Sequence, residues 1–486
     1  MKKTLTVAAL SSALVLGVAA SALALHDTAT EQTSPAVAAG ASKVTIDGGV
    51  RERGMYDKDN SAENNASGRT MYDNRVQLGV KAQVSAEATG YIKLESGTDD
   101  NDVDKWGNAG TGFLHVGGKK LGSPSILEAW INYQPGAWGV KAGHMPLALG
   151  NKLFFDHTTA GDDALVFYAN PNEATHIAAL TIKFDEQVDQ KNGTDIDNPA
   201  TTNDNSDDLD GYVALITHKL NDNVNLGANW TYLRGSAENE QAGTLLGGLS
   251  MHNIGLTADG KVGAIEYLAD AEFQFGDVRD DGDNTMDASG WAMKLGGKYD
   301  LGVGKVGLLF GYGSGKDAHD DNYGGFKEDQ DQFINFLGDT NYDTIIAGYR
   351  ATIPGNGGMP TVLGAASSNI KNSGLSNLTE YQINASTKTV CPLTGKDLSI
   401  MGSLTYLMLS EERDNGYVDS DGDEVYTDKV GTELDLVAAW TLTPGLTYTV
   451  QAAYLWTGDV FETANDGTGH NPDNLAFLRH SLELKF

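Results

Sequence analysis

The sequence predicts an all-β fold, a transmembrane antiparallel β-barrel of about eighteen strands, with roughly 16–20 as the range. Three observations predict it. Short segments of alternating apolar and polar residues recur from residue 43 to the C-terminus, with no lasting helical period. Nothing after residue 24 approaches twenty continuous apolar residues, so no membrane helix is expected. The connections alternate between long and short, as they do when long loops cluster at one end of a barrel and tight turns at the other.

Taken in order, the chain opens with MKKTLTVAALSSALVLGVAASALA, two lysines, an apolar run and a small-x-small triplet. That pattern predicts a secretory signal at 1–24, too short and wrongly flanked for a retained helix. Residues 25–42 are small and polar and read as a flexible periplasmic leader. Residue 25 is Leu rather than Cys, so no lipoprotein-type anchor is expected.

The barrel then takes residues 43–486. Alternation places strands near 43–57, 70–81, 84–96, 123–134, 137–145, 162–170, 174–185, 209–219 and 222–234. A second set falls near 249–260, 262–276, 287–299, 304–314, 378–391, 396–410, 430–443, 445–458 and 475–486. Long connections are 97–122, 186–208, 235–248, 315–377, 411–429 and 459–474. Short ones include QPGA at 134–137, NPNE at 170–173, LNDN at 220–223, ADGK at 258–261, LGVG at 301–304, PLTGK at 392–396 and TPG at 443–445. A soluble sandwich or solenoid also alternates, but has no need to sort its connections by length, and no fixed repeat period is present. An even strand count puts both termini at the short-turn, periplasmic end.

The terminal segment FLRHSLELKF ends on Phe486 with no polar tail. Leu478, His480, Leu482, Leu484 and Phe486 share one face, and Arg479, Ser481, Glu483 and Lys485 the other. This ending resembles the C-terminal assembly signal of bacterial outer-membrane proteins. The resemblance implies the barrel-assembly machinery as a partner, with lipid and lipopolysaccharide around the finished barrel. VKAGHMPLALGNKLFFDHTTAGDD (140–163) is similar to the strand and inward loop of alginate-export-like and related eighteen-stranded porins. That family has Gly-Arg where this chain has Gly143-His144, which weakens any transfer of sugar specificity.

Alternation also assigns faces. Along 262–276, Ile265, Tyr267, Ala269, Ala271, Phe273 and Phe275 share one side, and Glu266, Asp270, Glu272 and Gln274 the other. Along 445–458, Leu446, Tyr448, Val450, Ala452, Tyr454 and Trp456 share a side that suits aromatic girdles. An Arg or Lys facing lipid at mid-bilayer costs about 2–4 kcal/mol, so the charged faces belong to the lumen. The expected pore lining is a basic wall of Arg51, Arg53, Arg75, Lys81, Lys93, Lys141 and Arg479, with Lys485, opposite an acidic wall of Glu266, Asp270, Glu272, Glu433 and Asp435. Such walls set a transverse field and bias which ions pass; the bland alternative is a lumen of mutually paired ions. PLALGNKLFFDHTT within 146–161 is too apolar for a solvated loop. It is expected to fold inward as a constriction, with Lys152, Asp156 and His157 at the narrow point. Residues 315–377 are expected to form either a second inward plug or an extra hairpin.

The chain carries 34 Lys and Arg against 66 Asp and Glu, a formal charge of −32. Such acidity excludes nucleic acid as a partner. Cys391 is the only cysteine, which excludes intramolecular disulfides, Cys-based zinc sites and c-type haem attachment. Asp419, Asp421 and Asp423 repeat the opening of a calcium loop, but Glu424 stands where the turn glycine belongs and Val430 where the closing Glu belongs. That loop is a weak calcium candidate and the only cofactor expected. No G-x-S-x-G, P-loop or H-E-x-x-H motif is present, and no enzyme is expected. The expected function is a porin, a passive diffusion channel for ions and small hydrophilic solutes. The alternatives are a selective pore for a charged solute or oligosaccharide, or a structural or adhesin barrel or a sheath for a partner protein. Monomer and trimer stay open.

Overall fold

The structure is a computed structural model of the chain. It describes residues 37–39, 42–58, 68–96, 104–105, 124–185, 209–235, 249–280, 285–316, 331–337, 343–348, 351, 353–354, 374–418, 424–462 and 472–486. Signal residues 1–24 and the calcium candidates Asp419, Asp421 and Asp423 lie outside the described residues.

Among the described residues one sheet of 22 strands is present. Four are additions of two or three residues, and eighteen go around the barrel. These are β1 Ser42–Lys58, β2 Arg69–Gln83, β3 Ala88–Ser96, β4 Pro124–Tyr133, β5 Trp138–Ala148 and β6 Phe155–Asn172. Next come β7 Thr175–Asp185, β8 Leu209–Asn221, β9 Val224–Gly235, β10 Ser250–Val262, β11 Ile265–Asp280 and β12 Trp291–Asp300. The last are β13 Lys305–Gly313, β14 Thr379–Val390, β15 Asp397–Val418, β16 Glu424–Thr443, β17 Leu446–Thr457 and β18 Leu475–Lys485. Every neighbour pair is antiparallel, and β1 closes on β18 from Gly49↔Lys485 to Lys58↔Ala476. Closure pairs the backbone of the first and last strands, so neither is an edge. Phe486 N donates to Gly48 O at 3.0 Å, and Gly48 N to Phe486 O at 2.9 Å. This ring of bonds is what lets the chain stop on an aromatic residue.

All eighteen expected strands occur, in the expected order. Boundaries moved where backbone geometry outweighed the turn signal. ADGK at 258–261 lies within β10; the chain turns instead at Gly263, whose φ of +61° is left-handed and whose missing side chain faces open space. NPNE likewise begins inside β6, which runs to Asn172, and the turn falls at Glu173 and Ala174. β6 begins seven residues before its alternating core, at Phe155, while β15 and β16 extend to Val418 and from Glu424. The end of the expected flexible leader, Val37–Ala39, pairs back on Ser42–Val44.

The outer surface carries the large apolar side chains, among them Ile131, Phe167, Leu256, Phe273, Leu308 and Leu436. A band this extensive needs an apolar solvent. Aromatic rings border it. Tyr212, Tyr232, His252 and Phe275 form a ladder near the long-loop end, with ring centroids 6.1, 4.7 and 4.9 Å apart. Trp440 with Tyr448, and Tyr133 with Trp138, lie toward the short-turn end. No helix among the described residues is long and apolar enough to cross a membrane.

Inside, the faces follow alternation only in part. Leu233, Met251, Leu455, Leu475 and Phe477 alternate with outward residues, so they point inward, yet they are apolar and enclosed. They pack toward inward-folded segments, which gives the long-loop half of the barrel a dry interior.

Leu308 is 67% exposed on the outer face of β13. Leu308→Arg is expected to destabilise the barrel by about 2–4 kcal/mol in denaturant unfolding from phospholipid vesicles; an unchanged midpoint would place that face in water.

Candidate functional site

The hairpin joining β5 to β6 enters the interior. Its tip turns at Leu149–Phe154, with Lys152 N donating to Leu149 O at 2.9 Å and Leu149 N to Phe155 O at 3.0 Å. Asn151 N then donates to Asp270 Oδ2 at 2.8 Å, and Asn151 Nδ2 to Ala269 O at 3.3 Å. Four strands separate β6 from β11, so this contact crosses the lumen. Gly150 has a φ of +55°, and a Cβ there would stand 3.1 Å from Asp270 Oδ2 and 3.0 Å from Thr257 Cγ2. Only glycine brings the tip this close.

Of the three residues expected at the narrow point, two are occupied in holding the hairpin. Asp156 is enclosed, takes hydrogen bonds from Thr158 N and Oγ1, and pairs with Lys152 Nζ at 3.1 Å. His157 Nδ1 lies 2.9 Å from Asp162, and its ring sits 4.5 Å from that of Phe155. Lys152 alone keeps substantial exposure.

Residues 331–337 and 343–348, with 351, 353 and 354, supply a second inward piece. Within the described residues they add no strand to the barrel wall. Phe336 bridges in parallel to Phe155, with its N–H donated to Phe154 O at 2.7 Å. Gln274 on β11 brackets Ile334, accepting its N–H at 2.9 Å and donating to its carbonyl at 2.5 Å. Glu433 on β16 accepts Ile346 N at 2.5 Å and Ala347 N at 2.8 Å. Lys294 on β12 pairs with Asp343. Phe154, Phe155, Phe184, Phe333 and Phe336 close the space between the two pieces, with centroids 5.5–6.5 Å apart.

The acidic wall is therefore covered rather than bare. Asp270, Glu272, Glu433 and Asp435 point inward as expected, but each is at most 2% exposed. Their oxygens receive the hydrogen bonds of the inward segments and neighbouring strands, because loop N–H groups taken out of water need acceptors. Glu266 remains partly open and pairs with Lys305 at 2.7 Å.

The basic wall faces inward too, interleaved with acids that the sequence reading passed over. Arg53 grips Asp73 with both nitrogens, at 2.7 and 3.0 Å. Arg75 lies 3.8 Å from Glu95 and 3.7 Å from Glu483, and Lys93 lies 3.6 Å from Glu128. Lys141 packs its ammonium 3.9 Å over the Trp130 ring. Arg479 donates to Gln451 Oε1 at 2.5 Å, and Lys485 pairs with Glu483 at 3.6 Å. Lys81 lies on the inner face of β2, opposite Thr45 of β1 and Tyr91 of β3. Arg51 differs: its Nε is enclosed and without a hydrogen-bond partner, and no carboxylate lies within ion-pair distance among the described residues. The signal for the missing acids was available in the alternation, since Asp73, Glu95 and Glu128 sit on the same faces as Arg75, Lys93 and Trp130.

Cys391 is buried in the short turn after β14, where its N–H bonds Lys396 O at 2.8 Å. Among the described residues no three His, Cys, Asp or Glu side chains converge as a metal site.

A closed eighteen-stranded antiparallel barrel with an apolar belt, aromatic borders and inward-folded loops is an outer-membrane barrel of the porin kind. Two solved Pseudomonas aeruginosa porins share the architecture. OccK1 aligns with a TM-score of 0.51 at 10% identity, covering 91% of this chain and 98% of that one. OccD3 aligns at 0.50 and 11% identity, covering 91% of each. The alginate-export family model matches residues 197–472, more than half of the chain, and the chain belongs to that family. No curated protein matches it.

Glu433→Ala removes the acceptor of two enclosed N–H groups, each costing about 1–3 kcal/mol when left unsatisfied. The variant is expected to show larger and noisier single-channel conductance in planar bilayers, with an unchanged β-sheet circular dichroism spectrum. A trace identical to the wild type would place residues 345–347 outside the conducting path.

Proposed function

We propose that this barrel is a passive outer-membrane channel that favours anionic, carboxylate-bearing solutes. The observation that carries the reading is Arg51. Its guanidinium stands on the inner face of β1, in register with Arg75 of β2 and Glu483 of β18 and two residues from Arg53, with no carboxylate within ion-pair distance among the described residues. The inward segments dock on β11 to β16, which leaves β1 to β3 and β18 to line the remaining path. A solute carboxylate passing Arg51 gains a charge-assisted, bidentate partner that the protein does not supply internally. The family's description names alginate, a carboxylated polysaccharide, which agrees in charge with this wall. Free carboxylates and short acidic oligosaccharides carry the same group.

Passive diffusion calls for no cofactor and no catalytic group. The short-turn end with both termini faces the periplasm in this reading, and the long loops face outward toward lipopolysaccharide. The C-terminal strand, with Leu478, Leu482, Leu484 and Phe486 on its outer face, presents the signal that the barrel-assembly machinery reads. One observation favours a second reading, a barrel closed at rest: the two inward segments and their phenylalanine cluster fill the long-loop half.

The test is reversal potential across a planar bilayer under a potassium chloride gradient. Wild type is expected to be anion-selective, and Arg51→Glu to move the reversal potential toward the cation side. A variant with wild-type selectivity would remove Arg51 from the path, and a folded barrel that never conducts would favour the closed reading.

A further inference from the structure

The inner face of β9 to β11 holds enclosed oxygen atoms that hydrogen bonding leaves over. Asp270 and Glu272 stand two residues apart on β11, 1% and 0% exposed, with their carboxyl groups in hydrogen-bonding reach of each other. Each uses one oxygen. Asp270 Oδ2 accepts Asn151 N at 2.8 Å, and Glu272 Oε2 accepts Asn253 Nδ2 at 2.7 Å. Asp270 Oδ1 and Glu272 Oε1 have no donor among the described residues.

A third group leans toward the same place. Asn229 of β9 and Glu272 flank Gly255 of β10 in register. A Cβ on Gly255 would lie 2.2 Å from Asn229 Nδ2 and 2.6 Å from Glu272 Oε1, so amide and carboxylate share the volume of the absent side chain. Asn229 is 7% exposed, and its Oδ1 also lacks a partner. Rotating the amide presents that oxygen to the carboxylate in place of the nitrogen. Thr231, two residues along the same inner face and 3% exposed, adds another unpartnered oxygen.

Charge does not balance here. Lys294, the ammonium opposite Asp270, is bound to Asp343 and also faces Glu380. Lys305 is bound to Glu266, and Lys298 stands between Asp343 and Glu266. Lys261 also approaches Glu266, at 3.9 Å. Neither Asp270 nor Glu272 has a cation within ion-pair distance among the described residues, so two carboxyl groups stand enclosed without an ion pair of their own.

We propose that Asp270, Glu272 and Asn229 bind a divalent cation of the calcium class, which fastens the 149–154 hairpin tip to the barrel wall. An all-oxygen donor set suits a hard cation, and calcium accepts irregular ligand geometry where magnesium demands an octahedron. Two uncompensated carboxylates match its charge. Bound there, it neutralises the acceptor that holds Asn151 and makes closure of the constriction dependent on the cation.

The experiment is calorimetric titration of calcium chloride into purified, chelator-stripped full-length protein, with melting followed in parallel. Wild type is expected to show one site near 1:1 and a higher melting temperature with calcium. Asp270→Asn/Glu272→Gln is expected to lose both, and Asn229→Ala to bind about tenfold more weakly or worse. An isotherm unchanged in the double variant would place all binding on the outer loops and overturn the proposal. Absence of heat in wild type, with the double variant melting no lower, would mean that the carboxyl pair shares a proton instead. If the double variant does not fold, Asn229→Ala decides, since it keeps both carboxylates; wild-type affinity there would also overturn the proposal.

Discussion

The rest of the structure depends on one constraint: a strand in lipid has nowhere to pair except another strand. Each unpaired N–H or C=O in hydrocarbon costs several kcal/mol, so the sheet has to close, and it closes where β1 meets β18. That seam explains the aromatic C-terminus, because Phe486 is bonded to Gly48 in both directions rather than left to fray. It also explains why alternation persists for more than 400 residues, since a closed wall offers every strand one apolar and one enclosed side.

The same demand for paired backbone governs the interior. Residues 149–154, 331–337 and 343–348 are chain folded inside a barrel, permitted only where acceptors and donors on the wall meet them. Asp270, Gln274, Gln382 and Glu433 do this, each reaching a main-chain group of an inward segment. The enclosed acids are thus fasteners before they are filters. Their cost in desolvation is offset by hydrogen bonds to the loops and, in one place, by Lys294. A pore built this way couples its bore to the charge state of its wall.

The opposite wall works by interleaving. Arg53 with Asp73, Arg75 with Glu95 and Glu483, and Lys93 with Glu128 pair each cation with a carboxylate of the same wall. Against this nearly neutral background, a single uncompensated arginine has more influence on a passing ion than a bare ladder of cations would, since the partners of the others already screen them.

The sequence alone determined the number, order and, with Glu52 of β1 as an exception, the apolar outward faces of the strands, because a period of two is local and the outer side meets lipid. Ile265, Phe273 and Phe275 faced outward, and Glu266, Asp270 and Glu272 inward, on alternation alone. Turn positions such as Gly263 escaped, since several glycines competed and only pairing register chose among them. What only tertiary structure decided is which inner residues meet water. Alternation assigns Asp435, Leu455 and Arg51 to one interior, yet the first two are fully covered and the third only half-buried. That outcome rests on contacts between residues more than a hundred positions apart, Asn151 with Asp270 among them, and a local pattern carries no record of them.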